Sequence, residues 1–293
     1  MTDTLDRFLF ENRPLRGEIV SLDNSYQQIL ASADYPIAVQ KLLGELMAAA
    51  SLLTATLKFE GEIALQIQSE GLIRYAIVNG THEQKLKGVA RWNDDIETWP
   101  EDFKSWFKKG VLAITLTPKD GQRYQGMVAL DKPSLSACLE DYFLQSEQLL
   151  TKVYLTTQSE PVAKAAGLLI QIVPTSSETS NVESNEDFEH AAHLAETVSQ
   201  EEILSLPHSE MIRRLYHADD LRIFEPQDVM FFCDCSKERS AQALKNVAKQ
   251  ELLEIIEEDG SIKMDCQFCH SVYEFDKIDV ENIHSHNLQS GNA

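Results

Sequence analysis

The sequence predicts an α+β protein with a large mixed core domain, an acidic helical linker and a small cysteine-bearing domain near its C-terminal end. Three observations lead there. Strand-like and helix-like segments are interspersed through residues 1–174 without a regular strand–helix–strand period. Charge and composition change abruptly after Pro174. Four of the five cysteines fall late in the chain, as Cys233-x-Cys235 and Cys266-x-x-Cys269, thirty residues apart.

The elements of the core follow in order. Phe8–Phe10 and Leu15–Val20 read as strands leading to a helix near Ser25. Pro36 suits the first turn of a long helix reaching about Leu57, because that turn leaves backbone N–H groups free in any case. Strands are expected at Ile63–Gln68, Ile73–Val78 and Leu86–Trp92. Val111–Thr117 and Tyr124–Leu130 form a hairpin around Lys119-Asp120-Gly121. A helix over Leu135–Leu150 carries the isolated Cys138, read as a buried structural cysteine. A strand at Val153–Thr157 and an apolar stretch through Leu168–Val173 close the domain.

Beyond Pro174 no Lys or Arg occurs until Arg213, and residues 175–210 carry nine acids. Thr175–Asn185 reads as a mobile connection. Phe188, Ala191, Ala192, Ala195 and Val198 recur at helical spacing. Ser199 and Glu202 make a capping-box pattern for a short helix through Leu204, and Met211–Tyr216 is a third amphipathic segment. A thin apolar stripe under so acidic a face describes either an ordinary packed arm or a marginal helical linker that loses structure easily.

Val229–Phe232 is a strand that delivers the first cysteine pair. Ser236 caps a helix with Ala241, Leu244, Ala248, Leu252 and Ile255 facing inward, ended by Asp259-Gly260. A short strand, the Cys266–Cys269 knuckle, a strand at Val272–Phe275 and a turn of helix near Val280 complete the domain. So small a piece cannot readily bury a stable core without a staple. Four thiolates in two close pairs, Cys233, Cys235, Cys266 and Cys269, make a saturated tetrahedral site for one zinc ion, with no open position for an activated water. His270, His284 and His286 are rival ligands that a complete cysteine set leaves as spectators.

Composition bounds the function. The chain of 293 residues is 43% apolar, enough for a sizeable core, and its net charge of −21 argues against nucleic acid and anionic membrane as partners. The N-terminal residues lack the apolar stretch of a signal peptide, and the Leu46–Leu57 run is too short to span a membrane. Clustered cysteines with one left over do not make a secreted disulfide framework, so a cytoplasmic location is expected.

Zinc here either staples a small fold or also holds a redox switch. An extended Cys-x-Cys places its Cα atoms about 6.6 Å apart, at the far edge of disulfide geometry. Oxidation of that pair would therefore require the backbone to move. Zinc also keeps sulfur as thiolate, the form that oxidants attack.

The whole chain resembles the heat shock protein 33 family of redox-regulated chaperones. The resemblance rests on Cys233-Asp234-Cys235-Ser236-Lys237-Glu238-Arg239 and on Cys266-Gln267-Phe268-Cys269 with Tyr273 and Phe275. It extends to Arg213-Arg214-Leu215-Tyr216 with Arg222 and Phe224, and to Tyr124-Gln125-Gly126, Leu139–Phe143 and Gln145–Gln148 in the core. It implies an ATP-independent holdase, not an enzyme, silent when reduced and zinc-bound. On oxidation, by the same resemblance, Cys233 pairs with Cys235 and Cys266 with Cys269, zinc leaves, the linker unfolds and exposed apolar surface binds unfolding proteins as a homodimer. The domains are then a 1–174 chaperone core, a 175–231 linker, a 232–286 zinc-binding redox-switch domain and a 287–293 disordered tail. Two positions depart from the pattern. His270 stands where such proteins often have glycine, which strains the turn if positive φ is needed, or sets a base beside the cluster. Ser69-Glu70-Gly71-Leu72 departs from a Gly-x-Gly-Pro loop. The competing readings are a thiol–disulfide oxidoreductase using Cys233 and Cys235, and a structural zinc-ribbon adaptor.

Overall fold

The computed structural model describes residues 3–96, 98–173 and 181–285. Most of the expected Thr175–Asn185 connection, the 287–293 tail and His286 lie outside the described residues. Two compact units are resolved, one ending at Phe232 and one beginning at Cys233.

The first unit is built on two sheets. Strands β1 (Thr4–Phe10) and β2 (Leu15–Leu22) lead to helices α1 (Asn24–Leu30) and α2 (Ile37–Ala55). Then come β3 (Gly61–Gln68), β4 (Ile73–Thr81), β5 (Lys85–Trp92), β6 (Val111–Pro118), β7 (Tyr124–Ala129), α3 (Leu135–Tyr142), β8 (Thr151–Gln158) and β9 (Lys164–Ile172). Helices α4 (Asn181–Ala195), α5 (Gln200–Ser205) and α6 (His208–Tyr216) precede three short strands, β10 (Leu221–Ile223), β11 (Gln227–Asp228) and β12 (Met230–Phe231). One sheet runs β10-β1-β2-β9-β8, with β11 also on β1; the other runs β12-β5-β4-β3-β6-β7. All pairings are antiparallel except β12 with β5.

Helix α2 lies in the core shared by both sheets, and fourteen of its nineteen residues are buried. A helix apolar all round needs such a setting. Its length and hydropathy would suit a membrane span, yet it is a core helix with 78% of the relevant window buried. The α+β fold class is as the interspersed pattern predicts. Pro36 sits just before the helix as its N-cap, one position earlier than expected. The expected 135–150 helix ends at Tyr142 and gives way to a π-turn over Phe143–Glu147, closed by Gln148 in the left-handed region. Tyr142 packs where Gly126 lacks a side chain, since a Cβ there would lie 2.5 Å from the ring. Its hydroxyl donates to Glu147 at 3.0 Å. The chain segments quoted above for the core thus meet in space.

The first sheet is buried on both faces. Val20, Leu22, Ala165 and Leu169 face α2, while Leu15, Ile19, Ala166, Leu168 and Ile170 join Phe8 and Phe10 under α4–α6. Phe188, Ala191, Ala192, Ala195, Ile203, Leu204, Met211, Ile212, Leu215 and Tyr216 cover that second face, all buried. The Ser199–Glu202 capping box is present in full. The acidity of this arm is partly balanced from the core: Arg13, in the β1–β2 turn, reaches Asp187 at 3.1 Å and Asp219 at 2.8 Å, and Lys152 of β8 reaches Glu196 at 3.4 Å. Buried His208, at the start of α6, binds Asp6 of β1 through Nδ1 and Ser21 of β2 through Nε2 at 2.7 Å.

Glu18 in β2 is buried with Oε2 unpartnered. Burial pushes its carboxyl up to about 7, outweighing Arg16 and Arg7, although Arg16 Nε is only 3.7 Å away. A carboxyl raised in the folded state retains its proton where the unfolded chain has lost it, so stability falls as pH rises from about 4.5 through 7. Glu18→Gln is expected to raise the urea midpoint at pH 8, by up to about 3 kcal/mol in stability. It should change little at pH 4.5; an equal shift at both pH values would contradict the assignment.

The second unit contains α7 (Lys237–Leu244), α8 (Lys249–Asp259), the hairpin β13 (Ile262–Asp265) and β14 (Val272–Phe275), and α9 (Lys277–Ser285). The single helix expected from Ser236 to Asp259 is broken before α8, where Ala248 is extended and exposed. Val247, rather than Ala248, packs on the small core. That core comprises Leu244, Leu252, Ile262, Phe275, Val280 and Ile283.

Candidate metal centre

The second unit brings its four cysteines together from two places. Cys233 and Cys235 precede α7, whose N-cap Ser236 accepts from the Arg239 N–H at 3.2 Å. Arg239 turns back to the Asp234 carbonyl at 3.0 Å and to its carboxylate, bracing the residue between the two thiols. Cys266 and Cys269 sit in the turn between β13 and β14. This turn is closed by N–H donation from Cys266 to the Ser271 carbonyl at 2.9 Å and from His270 to the Cys266 carbonyl at 2.8 Å.

Cys233 Sγ lies 3.6 Å from Cys266 Sγ, Cys235 Sγ lies 3.3 Å from Cys269 Sγ, and all four sulfurs are within 4.8 Å of one another. A tetrahedron of metal–sulfur bonds of about 2.3 Å has edges of about 3.8 Å, so the four thiols are placed to bind a metal ion. No His or carboxylate joins the group among the described residues. His270 is exposed and His284 stands apart from the cluster.

The surroundings bias the sulfurs unequally. Burial pushes the Cys233 and Cys266 thiols up. Burial also opposes ionisation of Cys269, but Ser271 and the neighbouring cysteines outweigh it and bring that thiol down to about 7. Tyr273 donates its hydroxyl to Cys235 Sγ at 3.1 Å, and this bond, with burial, pushes the phenol up to about 12. The Ser271 hydroxyl lies 3.3 Å from Cys269 Sγ. Such partners outside the ligand set orient the ligands and tune their basicity. Neither role was visible in the sequence, where only the two-residue alternation of β14 hinted that Ser271 and Tyr273 share a side. Cys138, by contrast, is fully buried on α3, and burial raises its pKa.

His270 has φ of 57°, the left-handed conformation that glycine adopts without penalty. A side chain there costs roughly 1–2 kcal/mol. His270→Gly should therefore hold metal several-fold more tightly, measured by competition with a chromogenic chelator. Unchanged or weaker retention would show that the turn is unstrained.

Comparison with known proteins spans both units of the chain. The Hsp33 protein family profile matches residues 3–276. A 33 kDa chaperonin of Pseudoalteromonas atlantica is 56% identical over 284 residues, covering 97% of this chain and 95% of its own length. A 33 kDa chaperonin of Shewanella frigidimarina is 47% identical, covering 98% of each. The crystal structure of the 33 kDa chaperonin of Thermotoga maritima superposes with a TM-score of 0.82 at 20% identity, covering 98% of this chain and 99% of its own.

Proposed function

The chain belongs to the Hsp33 family, and from that premise we propose a redox-regulated, ATP-independent holdase that keeps unfolding proteins from aggregating. It is a chaperone rather than an enzyme. The observation that carries the redox reading is the set of four sulfurs within 4.8 Å in a unit whose buried core, among the described residues, is six apolar side chains. We assign Cys233, Cys235, Cys266 and Cys269 as ligands of a single zinc ion in the reduced state. Bound zinc would hold the sulfurs as thiolates and supply the folding free energy that so small a core lacks.

Each cysteine pair then acts as a two-electron donor. One thiolate attacks peroxide, forming a sulfenic acid and releasing hydroxide; its partner thiolate attacks that sulfur, forming the disulfide and releasing a second hydroxide. We propose Cys233–Cys235 and Cys266–Cys269 as the products. The choice of pairing matters energetically. By loop-closure entropy a disulfide within a pair restrains the unfolded chain by about 1.6–1.9 kcal/mol, whereas one between the pairs would supply about 3.7 kcal/mol. Both pairings remove the metal's much larger contribution, and the local one installs the weaker staple in its place.

The surface that would meet clients is the second face of the first sheet. Leu15, Ile19, Ala166, Leu168 and Ile170, with Phe8 and Phe10, form one apolar surface covered solely by α4–α6 among the described residues. Loss of structure in 175–231, driven by the redox-switch domain 232–286, would uncover this face on the 1–174 core. A homodimer in the cytoplasm, binding neither nucleic acid nor membrane, completes the proposal; the net charge of −21 supports the last two exclusions.

The test titrates peroxide at two temperatures while following metal release, helical content and aggregation of a denaturing client. Protection should rise as metal leaves and helical signal falls, most readily at the higher temperature. Metal loss without protection would overturn the holdase; protection with full helical signal would overturn the linker step. Neither competing reading, thiol oxidoreductase or inert zinc ribbon, is favoured by the family or by a closed four-sulfur set.

A further inference from the structure

The parallel strand β12 occupies a groove that is better built than two residues of pairing require. Its register sets Met230 against Lys85 and Phe231 against Leu86. Met230 N–H donates to the Gln84 carbonyl at 3.0 Å and Phe232 N–H to the Leu86 carbonyl at 2.9 Å. Gln84 is buried in the left-handed conformation, with φ of 59°. Ser51 of α2 pins it by donating to Oε1 at 2.6 Å, while Gln84 Nε2 donates to the Ser51 carbonyl at 3.3 Å. A strained residue fixed from the core thus presents its carbonyl to the incoming strand. Helix α1 flanks the other side of β12. Val229 is buried in the main core and Phe231 packs against it, while Met230 and Phe232 are about half exposed. The groove therefore takes backbone along one wall and an apolar side chain at every second position, the arrangement by which extended peptides add to a sheet edge. Its occupant leads directly into Cys233.

We propose that the groove between β5 and α1 is a docking site for an extended client segment with apolar residues at alternate positions, which pairs with β5 when residues 229–232 leave it. This rests on the holdase reading above and adds, besides the sheet face beneath α4–α6, a second place of capture, by strand pairing. The chain's own strap is the observed ligand and sets the chemistry of the client: exposed backbone donors and alternating large apolar side chains, both present in an unfolding polypeptide and absent from a folded one.

The probe is a fluorescent peptide of residues 227–232 added to the full chain, reduced or peroxide-treated. The tethered strap competes at an effective concentration near millimolar, so the oxidised chain should bind the peptide at least about 10-fold more tightly than the reduced chain. Met230→Pro in the peptide, which removes the donor to Gln84, should weaken binding by about 10-fold. Saturating peptide should release bound client, and a benzophenone side chain in place of Lys87 should crosslink client only after oxidation. Client protection indifferent to saturating peptide would overturn the docking site while leaving the holdase intact. Crosslinks joining only two copies of the chain would assign the groove to strap exchange and overturn it equally. Peptide binding without any client protection would overturn the holdase and, with it, the client assignment.

Discussion

Cys266→Ser is expected to leave residues 233–285 without a stable fold at any oxidant level. Apart from the sulfurs, the described part of the unit is held by six buried apolar side chains, a hairpin of two four-residue strands and ion pairs such as Lys237–Asp279 at 2.8 Å. The ion pair is largely exposed, and solvent screening leaves such pairs little net contribution. Apparent binding free energies for a structural zinc site are about 10–16 kcal/mol, and most of this is lost with one thiolate. Hydrogen exchange should show amides of 237–285 unprotected while β2, β9 and α2 retain full protection, with metal content near zero. A protected second unit in the metal-free variant would refute the staple. The same variant should suppress client aggregation without peroxide, since it enters the metal-free state directly.

Tyr216→Ala should produce the second large effect, and from the opposite end of the relay. Tyr216 is buried, packs edge-on against Phe10 at 5.0 Å and tilted against Phe8 at 5.7 Å, and donates its hydroxyl to the Ala191 carbonyl at 3.0 Å. Phe8 lies across Gly17, where any side chain would collide with its ring. Truncation should cost about 3–5 kcal/mol and leave a buried carbonyl without its donor. That loss falls on α4–α6 rather than on the sheet. The helices should exchange rapidly while the cysteine unit keeps its metal, and client protection should appear in the reduced protein. Tyr216→Phe, which loses only the hydrogen bond, should cost about 1 kcal/mol and remain silent. Failure of Tyr216→Ala to expose the sheet face to an apolar dye would show that this face is not the client surface.

Much of this was legible beforehand because it is local. The alternation in β3 and the hairpin around Gly121 followed from side-chain period and turn chemistry. So did the Ser199–Glu202 box, and the cysteine spacing fixed the site. What stayed hidden depends on partners distant in sequence. The runs at Ile19-Val20 and Leu168-Leu169-Ile170 fit a strand buried on both faces, but nothing local says that one face lies beneath α4–α6. A poverty of basic residues in 165–212 suggested self-repulsion, yet Arg13 and Lys152 supply countercharge from the core. Leu244, Ala248 and Leu252 mimic a continuous helical stripe, although the chain breaks before Lys249 to turn Val247 inward. Parallel pairing of β12 with β5 leaves no trace in either strand alone.

Cys138 gives the chemistry its arithmetic. An odd thiol beside two oxidisable pairs would ordinarily permit scrambling and links between chains. Here the fifth sulfur is sealed inside the core, with its ionisation suppressed by burial. Full oxidation should therefore withdraw four electrons per chain, stop there, and be returned by two equivalents of dithiol, leaving the chain count unchanged on a non-reducing gel.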